Sequence, residues 1–220
     1  MKKEEVLAKI HEVGIVPGIR TLSSEDGRFA AEAIAEGGIP IVEITMTVPR
    51  AIDVISDMVK NSPHVIVGAG TVLDLETARR CLDAGVGFIT SPGLNLKIVE
   101  FAVKENRLVI AGAMTPSEVI TAWQAGSPLV KVFPCGPIGG PAYIKALRGP
   151  YPQVPMIAAG GVNQETAADF ILAGAAALGI GGRLIPKAAV EHRRPEQISE
   201  LARRFLRIVK TARNKAARRS

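Results

Sequence analysis

Eight times along this chain a short apolar run gives way to a turn rich in Gly, Pro, Ser or Thr, and then to a longer stretch with helical periodicity. The apolar runs predict strands near Ile15 to Ile19, Ile39 to Thr45, Val65 to Gly70, Gly87 to Ser91, Leu108 to Ala113, Leu129 to Phe133, Met156 to Gly160 and Ala176 to Gly181. Helices are expected near Ser24 to Glu36, Val48 to Asn61, Leu73 to Ala84, Leu96 to Glu105, Pro116 to Ala125, Pro141 to Leu147 and Gln164 to Ala173. Val6, Ile10 and Val13 suggest one more helix ahead of the first strand. Start signals support several of these: acids in the first turn at Asp74-Leu75-Glu76, a cap and N1 proline at Thr115-Pro116, and a capping Asn163. Gly37, Gly85, Gly126 and Gly174 stand where four helices should close. Strict alternation of strand and helix calls for a parallel sheet, and eight units in this length fit an α/β chain folded as a (β/α)8 TIM barrel with an extra N-terminal helix. An open doubly wound sheet is the runner-up. In either case the turns after the strands gather at one end, where barrel active sites form.

With 220 residues and 47% hydrophobic content, the chain can bury one large core, and residues 1–220 read as a single domain. No apolar run reaches the roughly 18 residues a membrane span needs. The charged start, Met1-Lys2-Lys3-Glu4-Glu5, leads into an amphipathic pattern instead of a signal-peptide core. A soluble cytoplasmic protein without a membrane partner is expected. Cys81 and Cys135 have no CxxC spacing, and His11, His64 and His192 are scattered, so neither a disulfide framework nor a sequence-local metal site is indicated.

The net charge of +6 is local. Residues 201–220 hold eight Lys and Arg and no acid, which leaves 19 basic against 21 acidic groups in the rest. From about residue 195 the chain reads as a docked helix, with Leu201, Phe205, Ile208, Val209 and Ala212 on one face, a solvated basic face opposite, and a frayed end from Lys215 to Ser220. Without aromatic residues among these cations, specific nucleic-acid binding is not expected.

The run Leu129-Val130-Lys131-Val132-Phe133-Pro134 places one amine in an otherwise apolar strand. Alternation puts Leu129, Lys131 and Phe133 on one face. A lysine there either snorkels to water from an edge strand or is buried, and a buried ammonium must be paired or give up its proton. In the second case it becomes a usable nucleophile toward carbonyl carbon. The strand Ile39 to Thr45 likewise carries a single acid, Glu43, on the face of Ile41 and Thr45. A Lys131–Glu43 ion pair would stabilise poorly, because desolvation offsets attraction. Two isolated charges facing one interior point instead to chemistry, and an amine beside a carboxylate suits imine formation with proton transfer.

The segments Gly14-Ile15-Val16-Pro17-Gly18-Ile19-Arg20, Val42-Glu43-Ile44-Thr45, Val67-Gly68-Ala69-Gly70-Thr71-Val72, Ser91-Pro92-Gly93, Met114-Thr115-Pro116-Ser117-Glu118, Lys131-Val132-Phe133-Pro134 and Gly160-Gly161-Val162 resemble, in order and spacing, the successive motifs of the KDPG/KHG class I aldolases. These bacterial enzymes act on 2-keto-3-deoxy-6-phosphogluconate and, in some members, 4-hydroxy-2-oxoglutarate. The resemblance runs from about Val13 to Pro186. It implies a metal-free and cofactor-free (β/α)8 homotrimer in carbohydrate metabolism of the Entner–Doudoroff kind, a carbon–carbon lyase releasing pyruvate and an aldehyde. It also implies that Lys131 forms the Schiff base and Glu43 is the acid/base group. By the same resemblance Thr71 helps hold the pyruvate carboxylate, Pro92 and Phe133 line the pyruvyl pocket, and Arg20 lies near the distal end of the substrate. Thr47 stands where some members carry a carboxylate-clamping arginine. Gly160, Gly161 and Gly182 match the phosphate end, but Ala159 and Gly182 replace the family's two hydroxyl residues there, with Arg183 adjacent.

Two other functions compete. A non-catalytic phosphate-binding barrel would keep the Gly turns but has no reason to keep both Lys131 and Glu43. Another phosphate-binding barrel enzyme, an isomerase or a transferase, would need no imine-forming lysine.

Overall fold

The computed structural model describes residues 2–218. It places eight strands: β1 (Ile15–Ile19), β2 (Ile41–Thr45), β3 (Ile66–Gly70), β4 (Phe88–Thr90), β5 (Leu108–Ala113), β6 (Leu129–Val132), β7 (Met156–Ala159) and β8 (Ala177–Ile180). All are parallel and neighbour one another in chain order. The sheet closes where β8 pairs with β1, through Ile15 with Leu178, Val16 with Gly179 and Pro17 with Ile180. That closure rules out the doubly wound alternative, because an open sheet has two unpaired edges.

Around the strands run α1 (Lys3–Val13), α2 (Ser24–Glu36), α3 (Ala51–Asn61), α4 (Leu75–Asp83), α5 (Leu96–Lys104), α6 (Pro116–Gln124), α7 (Gly140–Arg148), α8 (Ala167–Leu172), α9 (Lys187–Glu191) and α10 (Pro195–Ala217). Four of them begin on side-chain caps. Ser23, Asp74, Asn95 and Thr115 each accept a hydrogen bond from a backbone N–H of the following turn. At Thr115 the box is reciprocal, and hydrogen bonds from the Met114 and Thr115 backbone hold the Glu118 carboxyl below its ordinary range.

Some boundaries depart from the expected ones. Helix α8 starts at Ala167 instead of Gln164, because the Asn163 Oδ1 accepts from the Glu165 and Thr166 N–H groups and holds that stretch as a turn. Helix α9 has no counterpart among the expected elements; at five residues its periodicity is too short to read. Gly37 is not a left-handed cap: its φ is −72° and Gly38 takes the positive value of 93°. Residue 37 must be glycine for a different reason, since a Cβ there would lie 2.5 Å from the Ala202 Cβ of α10.

The C-terminal helix corrects two expectations. It stays helical through Ala217, beyond the point where fraying was expected; Arg219 and Ser220 lie outside the described residues. Nor is its basic face wholly solvated. Arg213 donates to the carbonyls of Glu12 (2.7 Å) and Ala176 (2.9 Å), tying α10 to the end of α1 and the start of β8. Arg204 and Arg207 pair with Glu200 on their own helix. Of the apolar stripe expected on this helix, Phe205, Val209 and Ala212 are buried, together with Ile198 and Ala202, while Leu201 and Ile208 are only half-buried.

The barrel's interior is defined by which inward positions carry a side chain. In the strand register Glu43 lies between Gly18 of β1 and Gly68 of β3, and Lys131 lies between Gly112 of β5 and Ile157 of β7. Both long side chains thus have glycine as a strand neighbour. A Cβ at Gly68 would stand 2.2 Å from the Phe88 ring, and one at Gly70 would stand 2.1 Å from Glu43 Oε1. The Gly68-Ala69-Gly70 motif therefore vacates two successive inward positions, one for the fully buried Phe88 that closes the interior and one for the Glu43 carboxylate.

Candidate active site

The loops after β1, β7 and β8 surround a cavity of about 330 Å3 that opens at the C-terminal ends of the strands. Its inner wall carries Glu43, Thr45, Lys131 and Phe133, and its mouth carries Arg20, Asn163, Gly181, Gly182 and Arg183. Lys131 Nζ lies 3.3 Å from Glu43 Oε1, with the two side chains only 12% and 7% exposed. A second contact runs from Nζ to Thr90 Oγ1 at 3.4 Å, and the Phe133 ring centroid lies 5.8 Å away. Strands β2, β4 and β6 thus bring three polar side chains to one point. A buried ion pair contributes little net stability once desolvation is counted. The arrangement is explained by what it can do: a nitrogen nucleophile and a proton-carrying carboxylate share one enclosed space.

No other nucleophile of this strength lines the cavity. Cys135 is fully buried two residues past Phe133, and burial pushes its thiol up to about 11. Cys81 is raised to about 11 for the same reason and contacts the Met46 sulfur at 3.8 Å. Among the described residues no group of three or more His, Cys, Asp or Glu side chains is placed to hold a metal ion.

Arg20, Glu43, Lys131, Phe133, Gly160, Gly161 and Gly182 come together in the cavity wall; Thr47, Thr71 and Pro92 stand outside that lining. Thr47 is exposed and lies 2.6 Å from Thr45 Oγ1, which itself donates to the Ile19 carbonyl at 2.9 Å. A carbonyl only accepts, so the single Thr45 proton is committed to Ile19 and Thr47 is the donor to Thr45. Thr71 follows β3 with φ of 57°, a left-handed conformation that costs a β-branched residue on the order of 1–3 kcal/mol. Pro92 packs its backbone onto Gly112, the β5 neighbour of Lys131; a Cβ on Gly112 would lie 2.3 Å from the Pro92 carbonyl carbon. The Ser91 hydroxyl stitches this corner, donating to the Gly93 carbonyl and accepting from Gly112 N–H.

Sequence reading missed Thr45 and Asn163 in the wall and Thr90 beneath it. Thr90 was legible in principle, since it alternates with Phe88 on one face of β4, but a threonine in a strand is ordinary and carries no signal of its own. The Gly160-Gly161 turn is packed against the segment after β6: Gly136 N–H donates to the Gly160 carbonyl at 2.6 Å, and a Cβ on Gly161 would lie 2.7 Å from Gly136 Cα. Both glycines have positive φ, 76° and 100°. Gly182, by contrast, has open space where a side chain would go. Arg183 lines the cavity mouth.

Fold and site define a (β/α)8 barrel enzyme with an amine and a carboxylate meeting inside the C-terminal end of the barrel. The family model "KDPG and KHG aldolase" matches residues 6–201. The chain is 33% identical to the 2-dehydro-3-deoxy-phosphogluconate aldolase of Pseudomonas aeruginosa over 89% of each chain. It is 34% identical to the KHG/KDPG aldolase of Escherichia coli, over 86% of this chain and 89% of the other. Among solved structures it resembles KDPG aldolase from Legionella pneumophila, captured with pyruvate as a covalent carbinolamine intermediate. That likeness has a TM-score of 0.83 at 29% identity and covers 89% of this chain and 95% of the other. The chain belongs to the KDPG and KHG aldolase family. It is a class I aldolase, a carbon–carbon lyase.

Proposed function

We propose that this protein cleaves a 2-keto-3-deoxy sugar acid, phosphorylated or not, or 4-hydroxy-2-oxoglutarate, to pyruvate and an aldehyde through a Schiff base on Lys131. The observation that carries this reading is the 3.3 Å contact between Lys131 and Glu43 at the inner wall of a cavity with arginines at its mouth. Lys131 condenses with C2 of the keto acid, and the iminium draws electrons from the C3–C4 bond as it breaks. Glu43 takes the C4 hydroxyl proton and afterwards protonates the enamine, giving the pyruvyl imine that water hydrolyses. Residues 1–220 act as one aldolase domain on a cytoplasmic metabolite in this reading, which is compatible with there being no helix among the described residues long and apolar enough to cross a membrane. A panel of 2-keto acids with a coupled assay for pyruvate tests it; no pyruvate from any member would refute it.

The distal end should show a modest preference for phosphate. Each hydrogen bond to a charged group contributes about 1.5–3 kcal/mol, so two missing hydroxyls at Ala159 and Gly182 weaken phosphate binding by roughly 100-fold or more unless replaced. Arg183 and Arg20 at the mouth supply the replacement charge. The expected result is a kcat/KM ratio between phosphorylated and unphosphorylated forms of one substrate below about 10³. Arg183→Ala should lower that ratio, and Gly182→Ser, which the open space accommodates, should raise it. A ratio above this bound that Arg183→Ala leaves unchanged would assign the phosphate site to the glycine backbone alone.

We propose a homotrimer as the working assembly. Trp123 on α6 and Phe101 on α5 are only partly buried against the chain's own core, and Phe101 lies 4.6 Å under the Arg79 guanidinium. A better-supported contact is the group Leu73, Leu96 and Met114, which are 60%, 40% and 43% exposed on the loop after β3, at the first residue of α5 and on the loop after β5. Exposed apolar side chains on adjacent segments mark an interaction surface. Light scattering should return about three times the 23.2 kDa chain mass, and a monomer at micromolar concentration would overturn the assignment.

A further inference from the structure

Thr90 is 1% exposed, stands on β4 behind the cavity wall, and has its hydroxyl 3.4 Å from Lys131 Nζ. It is not among the residues that line the cavity, whereas Lys131 is. Glu43 meets the same nitrogen from β2 at 3.3 Å and does line the cavity. Before substrate binds, Nζ has enough N–H donors to serve both oxygens. Once Nζ is bonded to substrate C2 as an iminium, a single N–H remains, and the two oxygens compete for it.

We infer that Thr90 is a positioning residue that accepts this remaining N–H, so that Glu43 is released from the lysine at the stage where its carboxylate must move protons. Three features support the division of roles. Thr90 lies outside the cavity lining and meets the reaction through the lysine nitrogen. Its hydroxyl oxygen accepts from this nitrogen in the resting site and can accept the single iminium N–H in the same way, without using the carboxylate that must carry protons. And an N–H held on the β4 side fixes rotation about the Cε–Nζ bond, which keeps C3 and C4 of the substrate toward Glu43. The inference rests on the Schiff-base reading above and extends it to a residue outside the cavity wall.

The test compares wild type, Thr90→Val and Thr90→Ser by turnover and by borohydride trapping with pyruvate. The valine variant keeps the shape and loses the hydroxyl. At 3.4 Å the contact is long, so the expected loss is at the weak end for a hydrogen bond to a charged group, about tenfold in kcat with little change in KM. Lys131 should still be trapped, more slowly, and the melting temperature should not fall. The serine variant should return kcat to within about threefold of wild type, because only the hydroxyl is restored. Wild-type kcat in Thr90→Val, or equal impairment in Thr90→Ser, would overturn the role. Should the valine variant fail to fold, Thr90→Ala takes its place in the same comparison. Absence of any Lys131 adduct in the wild type would instead overturn the Schiff-base reading itself, so the two failures are distinct.

Discussion

Sodium borohydride added with pyruvate should inactivate the enzyme irreversibly and leave a reduced pyruvyl adduct on the peptide that contains Lys131. Among the described residues Lys131 is the one amine in the cavity wall, while Lys97, Lys104 and Lys145 are exposed on helices α5 and α7. An imine forms and persists where the amine is held beside the carbonyl in a space that excludes bulk water. Peptide mass mapping decides between these lysines. An adduct on any of the exposed three, with Lys131 unmodified, sinks the assignment. Replacing the nucleophile should cost more than about 10⁴-fold in kcat, the scale seen when a covalent catalyst is removed. Lys131→Arg is the better variant for this measurement than Lys131→Met. Removing one partner of a buried pair leaves an uncompensated charge that costs about 3–5 kcal/mol, and Arg keeps the charge that Glu43 faces.

Glu43→Gln should lower kcat by roughly 10²- to 10⁴-fold, the range for loss of one general acid/base group. The amide matches the carboxylate in volume, which matters because Gly70 leaves a space fitted to that side chain. Borohydride trapping of pyruvate separates the two catalytic roles. Lys131 in the Gln variant should still form an adduct while turnover is lost, since the nucleophile remains and the proton carrier does not. If turnover stays near wild type, Glu43 is only the ion-pair partner of Lys131.

The alternation of apolar runs with helical stretches was readable because it is local: each strand and helix buries its own periodic face, and the eight strands appear within a residue or two of their expected places. Lys131 and Glu43 were readable for the same reason, each being the single charge on an apolar strand. Their meeting at 3.3 Å needs β2 and β6 to stand across a closed barrel, and closure depends on the pairing of β8 with β1, two segments at opposite ends of the chain. No local pattern encodes that long-range contact. The same limit hid Thr90, which is an unremarked strand residue until the fold carries it to the lysine. It also hid why Gly68 and Gly70 must lack side chains, since the atoms they would strike belong to Phe88 and Glu43 on the two flanking strands. It misled the reading of Gly37, whose constraint comes from Ala202 across the helix contact and not from its own turn. Composition and periodicity determined the elements and the kind of chemistry. Which side chains share one small volume was decided by tertiary structure, because distances across a barrel are set by strand register and closure, not by separation along the chain.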